Sequence, residues 1–288
     1  MDFVQCSESQ TNGCSVVGHL EIRPFTSRVF HNTRMLRIWL PPEYKNRKAK
    51  KRRYPVLYLN DGQNLFDACT SLFSAKEWRV DETATQLIAA REISPLIIVG
   101  VDNAGKKDRA KEYLPYPDET LMPPTPDVHG KDYPDFLIKE VMPFINREYR
   151  TDPSPSATGL GGSSYGAGIA LYTVMMRAGH FGRLLLESPS LYAHDNYLIS
   201  EAEKFTRWPE KIYIGVGTVN EPKEDVSRLA NILRRDGLQD ERLLVVVQPG
   251  AGHNEDAWAE RFPRALQFLF GTPSGSAIPK NSCALKMD

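Results

Sequence analysis

The chain has 288 residues, 41% of them hydrophobic, enough for a sizeable core at this length. Its 36 Lys and Arg residues balance 36 Asp and Glu residues, so the charge gives no support to a nucleic-acid partner, which calls for a clear basic excess. The four cysteines, Cys6, Cys14, Cys69 and Cys283, form no CxxC pair and no zinc-spaced cluster with histidine, so reduced thiols rather than a disulfide scaffold are expected.

The opening stretch MDFVQCSESQTNGCSVVG lacks the basic start and apolar run of a secretion signal, and no 18-residue apolar window follows; the expectation is a cytoplasmic protein with no membrane partner. Residues 1–17 read as a loose arm, 18–271 as one domain and 272–288 as a flexible tail. Leu20–Pro24 and Arg28–Phe30 alternate in hydropathy and predict an antiparallel edge. Met35–Leu40, Val56–Asn60, Leu96–Val101, Arg183–Glu187, Ile212–Val216 and Leu243–Val247 are mostly continuous apolar runs, the pattern of strands buried on both faces of a parallel sheet. Helices are predicted over Asp81–Arg91, Tyr133–Tyr149 with a kink at Pro143, Tyr165–Arg177, Val226–Arg235 and Asp256–Phe270. Strands alternating with helices imply an α/β fold, a mostly parallel central sheet with helices on both faces. The basic run Lys45–Tyr54 reads as a solvated hairpin between two strands.

Mid-chain, Gly162-Ser163-Ser164-Tyr165-Gly166 matches G-x-S-x-G, with a small-residue strand (Ala157–Gly161) before it and an apolar helix after it. A nucleophilic serine must sit on a tight strand-to-helix turn so that its hydroxyl projects from the sheet edge, and that turn needs small flanking residues. Ser164 has glycine at both −2 and +2, and Ser163 does not. The same stretch lacks the third glycine of a dinucleotide-binding loop and does not open a βαβ unit.

Serine needs a base near neutral pH. In the chain order Ser, acid, His, the base follows the last strand, and His253 does so in a glycine-rich loop. His180 and His194 are the rivals. The acid should follow the preceding strand, in GTVNEPKED; Glu221, Glu224 and Asp225 are candidates, Glu221 first because it is nearest the strand end, while Asp225 also suits a helix N-cap. The acid would fix the imidazole tautomer. Backbone N–H groups of Tyr165 and Gln63 are the expected oxyanion donors, Gly62 letting the chain turn towards the serine.

Taken together, the segments PVLYLNDGQNLFD (55–67), EWRVDE (77–82), IIVGVDN (97–103), REYRT (147–151), TGLGGSSYGAGIALY (158–172), SPSLY (188–192), IYIGVGT (212–218) and GHNEDAW (252–258) resemble, in order, the esterase family of α/β-hydrolases. That family includes feruloyl esterases, carbohydrate acetyl esterases and ferric-enterobactin esterases. The resemblance covers about residues 18–271 and implies the α/β-hydrolase fold, a serine triad and no metal or other cofactor; by position Ser164 and His253 match it, and Asp61-Gly62-Gln63 matches its oxyanion loop. The expected activity is hydrolysis of a small-molecule carboxylic ester, of carbohydrate or phenolic type, through an acyl-enzyme. An acyltransferase with the same triad is the alternative, and a homo-oligomer is left open. Asp61, Trp78, Tyr113, Tyr192 and Trp258 are the substrate-contact candidates, the aromatics either as a wall for a sugar or phenolic group or as core packing. The Pro-rich loop Tyr116–His129 is a candidate cap over the site.

Overall fold

The computed structural model describes residues 15–72, 74–119 and 124–272. The expected arm, apart from residues 15–17, and the expected tail, apart from residue 272, lie outside the described residues. His19–Thr26 (β1) and Thr33–Leu40 (β2) form an antiparallel hairpin with His19 opposite Leu40 and Thr26 opposite Thr33. Arg28–Phe30, expected as strand, is the turn instead. Ser27 N–H donates to Asn32 O at 2.9 Å across it and His31 adopts φ 52°, so the chain reverses where alternation alone suggested extension.

Val56–Asn60 (β3), Ile97–Val101 (β4), Thr158–Ser163 (β5), Arg183–Glu187 (β6), Lys211–Gly217 (β7) and Leu243–Gln248 (β8) complete one eight-stranded sheet, ordered β1-β2-β4-β3-β5-β6-β7-β8. β2 pairs with β4 antiparallel, and every pair from β4 to β8 is parallel. This is the α/β-hydrolase architecture the resemblance implied. Because β4 lies between β2 and β3, the basic run Lys45–Tyr54 is not a hairpin. It is a largely exposed connection with one 3₁₀ turn at Arg47–Ala49, ending in the buried Tyr54.

The continuous apolar strands serve two cores. Val56, Tyr58, Ile97 and Val99 point to one face, and Leu57, Leu59 and Ile98 to the other, as the two-residue pleat dictates. Val80–Ala89 (α1) and Glu255–Phe270 (α8) cover the second face. The first is covered by Arg109–Tyr113 (α2), Tyr133–Asp135 (α3), Met142–Glu148 (α4), Tyr165–Met176 (α5), Ala193–Ala202 (α6) and Lys223–Arg235 (α7). The helix α5 is apolar all round and almost wholly buried, as such a helix must be. The kink expected at Pro143 is a wide π-helical turn over Phe136–Val141 joining α3 to α4; proline has no N–H and crowds the carbonyl four residues back, and the wider turn relieves both. Two helices had no sequence signal. The α2 helix is too short for a periodic pattern. In α6, His194, Asp195 and Asn196 all take positive φ. Among the described residues no helix is long and apolar enough to cross a membrane.

The strand β5 runs with little room. A Cβ on Gly161 would lie 2.7 Å from both Cβ and O of Leu185 on β6, where neither backbone can yield. Gly161→Ala should therefore destabilise the protein by about 1–3 kcal/mol, read as a lower urea midpoint with an unchanged slope.

Candidate active site

The strand β5 ends at Ser163 and α5 begins at Tyr165, which leaves Ser164 alone on the turn at φ 56°, ψ −128°. A non-glycine residue there is strained, by an amount on the order of 1–3 kcal/mol, and persists only because its surroundings fix it. Ser164 N–H donates to Glu187 O at 2.9 Å, and its carbonyl accepts from Ala167 and Gly168 N–H at 3.1 and 3.0 Å and from Ser190 N–H at 3.2 Å. Both flanking glycines are sterically required. A Cβ on Gly162 would be 2.8 Å from the Gly166 carbonyl carbon, and one on Gly166 would be 2.8 Å from Asp61 Oδ2. Ser163 is buried in the strand, whereas Ser164 is half-buried. Tyr165 and Gly166 open the first turn of α5, where N–H groups have no intrahelical acceptor.

The neighbouring loop leaves β3 through Asp61, at φ 59°, and makes one 3₁₀ turn over Gly62–Asn64. A Cβ on Gly62 would fall 2.6 Å from the Gly100 carbonyl carbon, so only glycine lets the loop lie this close to β4. The Asp61 carboxylate accepts from Arg109 Nε and Nη2 at 2.7 and 2.8 Å and from Asn103 Nδ2 at 2.6 Å. Asp61, a substrate-contact candidate by sequence, is thus engaged by the protein and braces the loop. Gln63 Oε1 accepts from Asn103 N–H at 3.2 Å, and Gln63 O from Thr70 Oγ1 at 2.7 Å. Asn60 Nδ2 donates to Gly166 O at 2.7 Å, tying this loop to the serine turn.

Glu221 and His253 follow β7 and β8 at the same sheet edge. Thr218 and Val219 N–H both donate to Ala251 O at 3.0 Å, and Gly250 N–H to Thr218 Oγ1 at 2.8 Å, which binds the two loops to each other. Glu221 Oε2 lies 3.1 Å from His253 Nδ1, the carboxylate fully buried and the imidazole partly exposed. Of the other acids, Asp225 lies 3.5 Å from Arg228 and stands with Glu224 in the first turn of α7. His180 accompanies the Arg177 carbonyl and His194 the Pro117 carbonyl. The recorded side-chain partner of Ser164 Oγ is Ser190 Oγ, at 3.3 Å, rather than the imidazole.

Sequence reasoning missed the residues beneath this pair. Ser188 Oγ lies 2.8 Å from Glu221 Oε1, 3.0 Å from Trp258 Nε1 and 3.4 Å from Arg261 Nη2. Arg261 in turn pairs with Glu187 through Nε at 2.8 Å and Nη2 at 2.6 Å. The only trace of this in the sequence was the SPSLY segment, whose serines carried no assignable role.

The aromatic candidates divide. Trp78 is buried against Trp258 and Phe262, with centroids 5.7 and 5.9 Å away. Trp258 is buried too, its ring edge-on to His253 at 5.2 Å. Both rings fill the space under α8 as part of the core. Tyr113, though buried, lines a small pocket together with Tyr116, Tyr165, Ser190, His194 and Tyr197. Tyr192 is 47% exposed. The Pro-rich loop reaches this pocket through Tyr116; residues 120–123 of it lie outside the described residues.

The family model described as "Putative esterase" matches residues 27–269. The chain belongs to the esterase family. The esterase is 21% identical over 249 residues to YbbA of Bacillus subtilis, itself uncharacterized, a match covering 83% of this chain and 93% of that one. Among solved structures it is similar to the enterobactin esterase of Shigella flexneri, at TM-score 0.70 and 18% identity, over 90% of this chain and 60% of that one. It is also similar to a ferulic acid esterase, at TM-score 0.67 and 19% identity, over 87% and 97% of the two chains.

Among the described residues, Glu77, Asp81 and Glu82 are the one group of potential metal ligands that converges, within 4.8 Å. They stand at the start of α1, where burial pushes the Asp81 carboxyl up to about 9. Nearer the site, burial raises the Glu187 carboxyl to about 7 against the opposing pull of Arg261. A carboxyl raised on folding binds its proton more tightly in the native state, so its contribution to stability is present at low pH and is lost as pH rises through the folded value. The stability of the esterase relative to a Glu187→Gln variant should therefore fall between about pH 5 and about pH 8, measured by urea denaturation at each pH. Arg109→Ala should destabilise by about 3–5 kcal/mol, since it strips a buried carboxylate of its ion-pair partner; the same denaturation assay reads it.

Proposed function

We propose that this esterase is a serine carboxylic-ester hydrolase with Ser164 as nucleophile, His253 as general base and Glu221 as the acid. The observation that carries the reading is the 3.1 Å approach of Glu221 Oε2 to His253 Nδ1 at the sheet edge where Ser164 is held in a strained turn. With Nδ1 given to the carboxylate, Nε2 is the nitrogen left to act. As an ester binds, Ser164 Oγ exchanges the Ser190 hydroxyl for that nitrogen, in keeping with catalytic hydrogen bonds that tighten only in the substrate complex.

Ser164 Oγ attacks the carbonyl carbon while its proton passes to His253. The oxyanion forms against the N–H groups of Tyr165 and Gln63, each worth about 3–4 kcal/mol to the transition state. The C–O bond then breaks, the departing alkoxide takes the proton from the imidazolium, and a water deprotonated by His253 hydrolyses the acyl-enzyme. The tyrosine-lined pocket beside Ser190 and the similarity to an enterobactin esterase and a ferulic acid esterase support an ester with an aromatic group as substrate.

The test is a panel of acetyl, butyryl, feruloyl and siderophore-type esters, run with wild type, Ser164→Ala and His253→Ala, with a fluorophosphonate probe for the nucleophile. The expected result is turnover, highest for aryl-bearing esters, falling about a thousandfold or more in either variant, with probe labelling abolished in Ser164→Ala and strongly slowed in His253→Ala. Undiminished turnover in Ser164→Ala would sink the reading.

A further inference from the structure

We infer that Ser188 is a positioning residue, which holds Glu221 in the one orientation that faces His253. The inference rests on the esterase reading above. It starts from the chemistry of a single hydroxyl, which has one proton to donate and two lone pairs to accept with. Ser188 Oγ has three polar neighbours. Two of them, the Trp258 indole N–H at 3.0 Å and the Arg261 guanidinium at 3.4 Å, can only donate. The hydroxyl proton therefore goes to the third, Glu221 Oε1, at 2.8 Å. Its bonding is then complete and its direction has no alternative. With Oε1 so fixed, Oε2 is the oxygen turned to the imidazole.

The supports of Ser188 are themselves rigid. Its backbone sits at φ 43°, a strained setting for serine, and its N–H donates to Gly215 O at 2.7 Å on β7. Arg261 is clamped by Glu187 on one side and by Gln248 Oε1 at 2.9 Å on the other. The Trp258 side chain that donates to Ser188 also packs its ring against His253. Two residues on, Ser190 N–H donates to the Ser164 carbonyl. The segment Glu187–Ser190 at the tip of β6 thus touches the Ser164 turn, the Glu221 side chain and the helix that follows His253, and Ser188 is its link to the acid.

The test is a double-mutant cycle on p-nitrophenyl butyrate with Ser188→Ala, Glu221→Ala and the pair, with thermal midpoints recorded for each. Ser188→Ala is expected to lower kcat by about tenfold, as loss of a hydrogen bond to a charged group implies, with KM changed by no more than about twofold. In the Glu221→Ala background the same substitution should change kcat hardly at all, because a residue acting through Glu221 has nothing left to position. Trp258→Phe, which keeps a ring beside His253 and loses the N–H, should show a smaller loss of the same kind, and it carries the test if Ser188→Ala does not fold. Equal losses from Ser188→Ala in both backgrounds would overturn the inference and assign the serine a structural role alone. So would full activity in Ser188→Ala or, where that variant does not fold, in Trp258→Phe, alongside an impaired Glu221→Ala, with the triad left standing. Full activity in Glu221→Ala would overturn the inference together with the assignment of the acid.

Discussion

The site depends on one steric constraint, the closeness with which the β5–α5 turn is packed between its neighbours. Ser164 occupies backbone angles that serine does not choose, and it stays there because hydrogen bonds from β6 and α5 close around its peptide groups and because Gly162 and Gly166 leave no gap for any other path. Strain held in this way projects a side chain away from the sheet and keeps the following N–H groups aimed outward. The Asp61 loop then has to follow. Its carboxylate packs against Gly166 and its neighbour Asn60 donates to the Gly166 carbonyl, so the candidate oxyanion loop takes its position from the serine turn.

Buried charge does the complementary work on the far side. His253 leaves the sheet three strands away from Ser164, about 14 Å at the usual spacing of neighbouring strands, and has to be led back. The lead is polar: Ala251 O gathers the loop after β7, Glu221 meets the imidazole, and Ser188, Trp258 and Arg261 fix Glu221 from below. Such networks constrain geometry when every member is satisfied and are costly when one is not. Asp61–Arg109 and Glu187–Arg261 are both buried ion pairs. Each stands behind a loop that carries a candidate catalytic group, so their contribution is to orientation more than to net stability.

The parallel strands were legible because burial on both faces leaves a continuous apolar run, and β3 and β6 begin and end where the pattern put them. Ser164 was legible because glycines at −2 and +2 are a local steric requirement. Arg28–Phe30 misled because a short alternating run has the same hydropathy whether extended or reversed. The placement of Trp78 and Trp258 was not legible, since aromatic content says nothing about which side of a sheet a ring faces. Asp61 and Ser188 were beyond reach: their partners, Arg109 at 48 residues' distance and Glu221 at 33, are set by the sheet order and by no local rule.

The amino-acid sequence by itself determined the layered α/β architecture and the tight turn at Ser164, because periodicity, glycine placement and strand composition act over a few residues. The tertiary structure decided which acid meets His253, which aromatics line a pocket and which serine holds the carboxylate. Those outcomes follow from strand order and from the satisfaction of buried donors and acceptors, and both are properties of segments far apart in the chain and adjacent only in the folded sheet.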